Sequence, residues 1–442
     1  MDDKDSGFQF ITEKIKERPF DKKGFLLYCI RLLGSAVIFG LVAALVFNAF
    51  IKKSGPGNQT IPVNITSKDE NKEDNSKVSD NSVSGNAGDN SVSSGEAEPT
   101  QIINNITEMV SLTTDDYKQL YATLSDAAKE VSKSIVTVTG VASDTDWFET
   151  TYEDKSSGAG IIVANNGREL LVLVNSETTS DADRITVTFF DGSMAEATVK
   201  KVDENTGFEI IAIPMEDISE ETMEVISEAT LGSSRGSNLT ETPVMAVGRP
   251  YGSSGSVAFG LITDNSRTES MTDRNMTIIS TDIYGSSEAS GAIFNYEGEV
   301  LGIIAPDTGA KDIENLISGY AISDLKEIIE SLSNDKSTAC LGIRGNDVTE
   351  AAHEELGLPY GAYVTKVVID SPAMTAGIQS GDVITKVGTR EISSYSDYEK
   401  AIMEAQPGDD AVITAERYAR GDYTEMTFDV TYVKLDDSLA EE

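Results

Sequence analysis

The sequence predicts a mainly β protein that carries one membrane-spanning helix near its N-terminus. Short runs rich in β-branched and aromatic residues, separated by Gly, Ser and Asp, recur between residues 135 and 305. A second group of such runs follows residue 338, and one apolar run of bilayer length precedes both groups. Frequent short strands of this kind are typical of a β-sandwich or a pair of β-barrels.

The composition limits the partners and the chemistry of the chain. Its 442 residues are enough for two or three domains, and 74 acidic against 35 basic residues give a net charge of -39. That charge repels nucleic acid, so we expect no nucleic-acid partner. Cys29 and Cys340 fall in different predicted compartments, which leaves no disulfide framework. No pattern predicts a metal site or a cofactor.

The N-terminal apolar run predicts a membrane anchor. Residues 32–50 are apolar except for Ser35 and Asn48. A helix of about 19 residues with a rise of ~1.5 Å spans ~28 Å, close to the hydrocarbon core of a bilayer. We therefore predict a transmembrane helix at residues 31–51. A cleaved signal peptide is the alternative, which the long polar lead and the lack of a small-residue cleavage site disfavour.

The charges around this run predict its orientation. Basic residues are richer before the span than after it, which places residues 1–30 in the cytoplasm and the remainder outside. The predicted location is thus the cell membrane, with a single pass and the bulk of the chain extracytoplasmic. Residues 52–112 contain almost no aromatic residues and cannot bury enough apolar area to fold, so we predict a disordered linker there.

Regular structure is predicted again from Thr114. Apolar residues from Tyr117 to Val131 recur at helical spacing, with Thr113 or Thr114 as the N-cap candidate. Nine predicted strands then follow, at residues 135–140, 158–164, 170–174, 185–190, 195–202, 209–213, 244–248, 257–263 and 276–281.

The stretch from Thr281 to Ala305 organises the prediction of function. It contains two apolar strands, 291–295 and 299–305, joined by a turn that ends at Gly298. A loop of mostly small residues, 285–290, precedes the first strand. Small residues allow a backbone to approach another group closely.

This layout resembles the nucleophile loop of the HtrA (DegP-like) family of trypsin-fold serine proteases. The family pattern has Thr-Asp, a spacer, Gly-Asn-Ser-Gly-Gly-Pro-Leu-Val-Asn and Gly-Glu-Val-Ile-Gly-Ile. Thr281-Asp282, Asn295 and residues 298–303 match it. The resemblance implies a trypsin-like double β-barrel. Counted back from Asn295, the family's nucleophilic serine falls on Ala289, and Ser290 lies one place later.

Four further stretches resemble the same family, at residues 157–162, 182–192, 203–211 and 244–263. By this resemblance the family's histidine corresponds to Glu177 and its triad aspartate to Gly207. Alanine at 289 has no lone pair for attack, and glycine has no side chain to orient an imidazole. Independently of any alignment, the chain has a single histidine, His353. Most nucleophilic serine sites use histidine as the general base.

The loop before Ala289 also departs from the family, because Ser287-Glu288 replace its Gly-Asn. A carboxylate at 288 opposes the negative charge of a tetrahedral intermediate. Three interpretations stay open: a barrel retained as a spacer, a pseudoprotease whose cleft binds without cutting, or catalysis through Ser290 or Ser286 with Lys or Glu177 as base. We predict the pseudoprotease, with no intact catalytic triad and with Ser290 as the fallback nucleophile.

Residues 338–435 resemble the PDZ domain that follows the protease domain in HtrA proteins. The resemblance rests on residues 340–345, 361–364, 370–384 and the helix-like 395–405. It implies that a partner's C-terminal segment adds a strand to an exposed sheet edge. The N–H groups of Leu341, Gly342 and Ile343 are then expected to capture its carboxylate. A PDZ domain used only for packing is the alternative, and His353 is expected to be an ordinary histidine.

The predicted organisation adds a protease-fold domain at residues 113–335, the PDZ domain and an acidic tail at residues 436–442 to the N-terminal segments. HtrA relatives commonly form trimers, so the resemblance implies a homotrimer. It also implies a role in envelope protein quality control. The predicted function is binding or regulation of unfolded or C-terminal polypeptide segments, and the alternative is an active HtrA-like serine endopeptidase.

Overall fold

The computed structural model describes residues 61–65, 113–145, 151–236, 239–305, 308 and 315–440. The predicted cytoplasmic tail and transmembrane helix lie outside these residues, as does most of the predicted linker. Across the described ranges, no helix is long and apolar enough to cross a membrane. The anchor therefore stays a prediction from the sequence.

Helix α1 (Thr114–Ser132) begins at the predicted cap. The Thr113 side chain accepts the N–H of Asp116, and the Asp116 carboxylate accepts the N–H of Thr113 at 2.8 Å. This capping box satisfies N–H groups that have no partner within the helix. Ala128 and Val131 are the residues that α1 buries.

Six antiparallel strands form a closed first barrel in the order β1-β2-β3-β6-β5-β4. Its interior holds β-branched side chains, among them Val138, Val172 and Ile211, all 0% exposed. The strands are β1 (Ile135–Thr145), β2 (Thr151–Asn165), β3 (Glu169–Asn175), β4 (Arg184–Thr188), β5 (Met194–Asp203) and β6 (Phe208–Pro214). A short helix, α2 (Glu220–Val225), and strand β7 (Thr230–Leu231) lead out of this barrel.

The second barrel closes because β11 pairs with both β8 and β12. Its path is β11-β8-β9-β10-β13-β12, and β7 adds to β12 in parallel. Val244, Ile279 and Ile293 fill the interior. The strands are β8 (Pro243–Gly248), β9 (Ser256–Met271), β10 (Arg274–Tyr284), β11 (Gly291–Asn295), β12 (Glu299–Ile304) and β13 (Leu316–Ala321).

A shared core holds the two barrels together. Leu171 from the first barrel, Met245 from the second and Ile329 from helix α3 (Ile322–Ser333) belong to one buried cluster, and each is 0% exposed. Burying such side chains contributes roughly 1.5–3 kcal/mol each. The two barrels therefore share a continuous apolar core.

The C-terminal domain is a six-stranded sheet with helices packed on it, in the order β15-β16-β17-β19-β20, with β18 paired to β17. Ile384, Tyr398 and Ile413 lie in its core and are 0% exposed. Its elements are β14 (Ala339–Cys340), β15 (Ile343–Asp347), α4 (Glu350–Leu356), β16 (Ala362–Val367), α5 (Pro372–Ala376), β17 (Val383–Val387), β18 (Arg390–Glu391), α6 (Tyr395–Glu404), β19 (Asp410–Ala419), β20 (Asp422–Thr431), β21 (Val433–Lys434) and α7 (Asp437–Ala440).

Two segments differ from the predicted organisation. Residues 61–65, within the predicted disordered linker, lie against the double barrel: the N–H of Val63 donates to Asn334 at 3.0 Å and that of Ile65 to Glu330 at 2.9 Å. Alternating apolar residues explain this contact, since Ile65 is 9% exposed. A part of the predicted acidic tail, residues 437–440, likewise forms α7, and Leu439 packs with Cys340.

Gly291 is predicted to be irreplaceable at the start of β11. Its φ is +122°, and a Cβ there would lie 2.2 Å from the carbonyl oxygen of Val247. We expect Gly291→Ala to lower the free energy of unfolding by about 3 kcal/mol or more, since backbone strain adds to overpacking. Chemical denaturation measures this change.

Gly192→Ala is the matched control for that measurement. Gly192 also has a positive φ, +85°, but nothing lies within 4 Å of a Cβ there. We expect a cost of about 1 kcal/mol from backbone conformation alone. Equal losses for the two variants would show that the contact with Val247 has no importance.

Candidate functional site

Glu177, which corresponds by resemblance to the family's histidine, lies in a short turn whose next residue, Thr178, is buried. A 3-10 turn, Ser176–Thr178, follows β3, and the Asn175 side chain accepts the N–H of Glu177 at 2.8 Å. The Glu177 residue is exposed. Within the part of the chain that the structure describes, no side chain holds the Glu177 carboxylate in one orientation.

Gly207, which corresponds by resemblance to the family's triad aspartate, lies beside this turn. The N–H of Ser176 donates to the carbonyl oxygen of Gly207 at 2.8 Å. A Cβ at 207 would lie 3.9 Å from the Ser176 hydroxyl oxygen. A side chain at 207 would therefore reach the turn that carries Glu177, and glycine leaves that place unfilled.

Ala289 and Ser290 have separate structural roles. Ala289 is 4% exposed and its methyl group packs with the interior of the second barrel. The Ser290 hydroxyl oxygen accepts the N–H of Ala159 on β2 at 3.0 Å. The neighbouring Gly158 lies against Thr178, since a Cβ there would be 2.4 Å from the threonine hydroxyl. Strand β2 thus connects the Glu177 turn with Ser290.

The loop before Ala289 uses its own backbone donors. The N–H of Ala289 donates to the carbonyl oxygen of Ser286 at 3.1 Å, and that of Glu288 to the Ser286 hydroxyl at 3.2 Å. In serine proteases the N–H of the nucleophilic residue helps to bind the oxyanion. Here that N–H closes a turn, so it does not face the cleft as a free donor.

His353 makes its contacts within the C-terminal domain. It lies in α4, and its Nδ1 is 2.6 Å from the carbonyl oxygen of Leu358. The ring stacks on Tyr360 with 4.1 Å between the centroids. Both interactions are local, which agrees with the expectation of an ordinary histidine.

The three predicted carboxylate-binding N–H groups converge on one carboxylate, that of Asp273. Leu341 donates to its Oδ2 at 2.7 Å, Gly342 to the same oxygen at 2.8 Å, and Ile343 to Oδ1 at 2.9 Å. Asp273 belongs to the turn between β9 and β10, in the second barrel. The loop can therefore bind a carboxylate, although its role in binding a partner's terminus stays a prediction.

Glycine is required at the centre of this carboxylate loop. Gly342 has a φ of +91°, and a Cβ there would lie 2.2 Å from the Cβ of Ser371. Ser371 is itself fixed, because its hydroxyl donates to the carbonyl oxygen of Val368 at 2.7 Å. A side chain at 342 would thus deform the loop.

Sequence reasoning missed three residues around the loop: Asp273, Tyr398 and Glu399. The Tyr398 hydroxyl donates to Oδ1 of Asp273. Burial, followed by the negative charge of Asp273, holds the pKa of Tyr398 well above its usual value. No sequence pattern indicated Asp273, since the flanking strands were predicted to end at residue 263 and to begin again at residue 276. A turn also carries no information about a contact in another domain.

Comparison with known proteins defines the class. The sequence model of the trypsin-like peptidase domain family matches residues 158–303, and the sequence model of the PDZ domain family matches residues 339–431. The chain thus combines a trypsin-fold peptidase domain with a PDZ domain, as the sequence predicted. A solved structure entitled HtrA-type protease AlgW with decapeptide has the same fold, with a TM-score of 0.51, 21% identity, and coverage of 71% of this chain and 98% of that one.

The relatives identify the family. The Serine protease Do-like HtrA of Lactococcus lactis subsp. cremoris is 30% identical over 284 residues, which cover 59% of this chain and 67% of that protein. Its counterpart in Lactococcus lactis subsp. lactis is 28% identical over 336 residues, covering 66% and 79%. This chain belongs to the HtrA family, which confirms the resemblance stated from the sequence.

Glu399 is predicted to make stability depend on pH. Its Oε1 accepts the N–H of Asn275 at 2.6 Å. Burial, with the Asp324 and Asp347 charges, raises its pKa from 4.5 to about 7, although the Asn275 N–H and Arg274 act in the opposite direction. Between pH 4.5 and about 7, Glu399 is therefore protonated in the folded state and ionised in the unfolded chain. The contribution of Glu399 to stability is therefore fully present below the unfolded pKa of 4.5 and is lost as the pH rises through about 7.

The variant Glu399→Gln tests this dependence. Glutamine keeps an acceptor for Asn275 without a titratable group. We expect its free energy of unfolding to change less between pH 4.5 and pH 8, with a difference from the wild type of at most about 3 kcal/mol. Urea unfolding across this range measures it. Parallel pH profiles for the two proteins would contradict the assignment.

Proposed function

We propose that this HtrA-family protein recognises polypeptide segments without cleaving them by a Ser-His-Asp mechanism. The observation that carries the proposal is the single histidine of the chain, His353, whose ring is engaged by Leu358 and Tyr360. Without an imidazole in the cleft, a serine hydroxyl lacks its usual proton acceptor.

The geometry of the cleft supports the same proposal. Ala289 has no nucleophilic atom, Gly207 has no side chain, and the Ala289 N–H bonds to Ser286. Ser290 uses its hydroxyl oxygen as an acceptor for Ala159. Together these features remove three contributions to acyl transfer, namely attack, orientation of the base and stabilisation of the oxyanion.

Recognition is assigned to the PDZ domain. Leu341, Gly342 and Ile343 supply three N–H groups that bind a carboxylate in the structure. We propose that this loop receives the C-terminus of an unfolded or processed polypeptide, which adds as a strand beside β15. The protein then presents or retains such chains, or regulates an active protease.

The setting of this function is proposed from the sequence and the family. Residues 32–50 would anchor the chain in the cell membrane, with the barrels and the PDZ domain outside the cytoplasm. A homotrimer and a role in envelope protein quality control follow from the resemblance to HtrA proteins.

The second candidate function, an active endopeptidase that uses Ser290, is favoured by the names of the relatives, which are serine proteases.

A serine-directed fluorophosphonate probe distinguishes the two functions. We expect the purified full-length chain to remain unlabelled and to leave unfolded casein intact, because no base activates a hydroxyl in the cleft. An HtrA protease with an intact triad, assayed beside it, serves as the positive control. Labelling of this chain that Ser290→Ala abolishes would refute the proposal.

Ser290→Ala is also predicted to have a structural effect. It removes the acceptor of the Ala159 N–H, and Ala159 is 5% exposed. Leaving a buried donor unsatisfied costs about 1–3 kcal/mol. Thermal unfolding should therefore occur at a lower temperature while casein cleavage stays at background. As a comparison, Ser253→Ala alters a hydroxyl in an exposed loop; an equal loss there would contradict a specific role for Ser290.

A further inference from the structure

The tip of the β9–β10 hairpin is buried, although it is a turn that carries charge. Arg274 pairs with Met271, which leaves Thr272 and Asp273 as the turn residues. They are only 1% and 7% exposed. Turns normally lie at the surface, where water satisfies their polar groups. Burial of this turn requires that protein groups replace that water.

The carboxylate loop of the PDZ domain supplies those groups. The carboxylate of Asp273 accepts three backbone N–H groups and the Tyr398 hydroxyl. Its own backbone N–H donates to the carbonyl oxygen of Ile343 at 2.7 Å. Asp273 thus presents a carboxylate to the loop and an N–H to the adjoining strand. A chain's C-terminal residue presents the same two groups in strand addition.

The residues beside Asp273 extend these contacts along the groove between β15 and α6. The Asn275 side chain donates to the carbonyl oxygen of Gly345 at 3.0 Å, and its backbone N–H donates to Glu399. On the other side, the Thr272 hydroxyl donates to the carbonyl oxygen of Leu439 at 2.6 Å. The hairpin tip therefore contacts the loop, the edge strand and the helix of the groove.

We propose that Asp273 is a built-in ligand of the PDZ domain, and that a polypeptide C-terminus binds only after the hairpin tip has left the carboxylate loop. The inference rests on the proposed function, since it requires the loop to receive chain termini. The carboxylate loop cannot hold two carboxylates at once, because it has one set of N–H donors. Two like charges also repel strongly when they are buried.

Asp273 has an advantage over an external C-terminus, because it is already close to the carboxylate loop. Asp273 belongs to the same chain, so it meets the loop at an effective concentration that a dilute partner lacks. The apparent affinity for an external terminus is reduced by the fraction of molecules whose loop is free. The buried pair of Arg274 with Asp203, 3.4 Å apart, further stabilises the inserted turn. Weakening the Asp273 contact raises the free fraction.

The test measures binding of fluorescein-labelled decapeptides of random sequence to the full-length chain by fluorescence anisotropy. Each pool is prepared with a free C-terminal carboxylate and with a C-terminal amide. We expect Asp273→Ala to bind the carboxylate pool at least about tenfold more tightly than the wild type, because the loop is then free. Binding of the amide pool should remain weak in both proteins.

Asp422→Ala is the matched control, because Asp422 is an exposed aspartate at the start of β20, directly after another hairpin turn. It removes the same charge and should bind like the wild type. Circular dichroism verifies the fold of each variant. Should Asp273→Ala not fold, Asp273→Asn, which keeps one acceptor oxygen without the charge, takes its place with a smaller expected gain.

The remaining outcomes separate the two proposals. Equal binding of the carboxylate pool by the wild type and by Asp273→Ala would overturn the internal ligand and leave peptide recognition in place. No binding to either protein would overturn both. An equal gain for the amide pool would show that the hairpin blocks the groove only sterically, which overturns competition between carboxylates.

Discussion

A carboxylate that is buried away from water needs hydrogen-bond donors, and the Asp273 carboxylate accepts hydrogen bonds from four donors in the PDZ domain. This requirement holds the β9–β10 hairpin against the carboxylate loop. The next residue, Arg274, pairs with Asp203 at the end of β5, so the same turn also contacts the first barrel. Removing one partner of a buried ionic contact costs about 3–5 kcal/mol. One hairpin tip thus fixes the PDZ domain relative to both barrels.

The protease fold is compatible with the proposed loss of the catalytic site, because different residues determine the fold and the site. The barrels depend on apolar interiors such as Val172 and Ile293, which are independent of the triad positions. Glu177 and Gly207 lie in turns, where substitution leaves the strand ladders unchanged. Ala289 even adds a methyl group to the core of the second barrel. A fold of this kind can therefore keep its stability while its chemistry is lost.

Local sequence patterns predict most of the strands but few of the contacts between residues that are distant along the chain. The runs predicted at 244–248 and 291–295 are the observed β8 and β11 to within a residue, because apolar β-rich segments bounded by glycine specify buried strands. Strand β9 was predicted to end at residue 263 but continues to Met271. Its polar second half has no apolar pattern, and pairing with β10 holds it in place. Tertiary contact there overrides propensity.

The same limit applies to the candidate site. The resemblance to PDZ domains implied the three donors, the N–H groups of Leu341, Gly342 and Ile343. It did not indicate the acceptor, since Asp273 is 68 residues away from Leu341 along the chain. Charge explains why an internal acceptor is effective. A chain with a net charge of -39 repels acidic termini as they approach, whereas Asp273 is already beside the loop. An external carboxylate that approaches this loop would therefore meet both an occupied site and an opposing field.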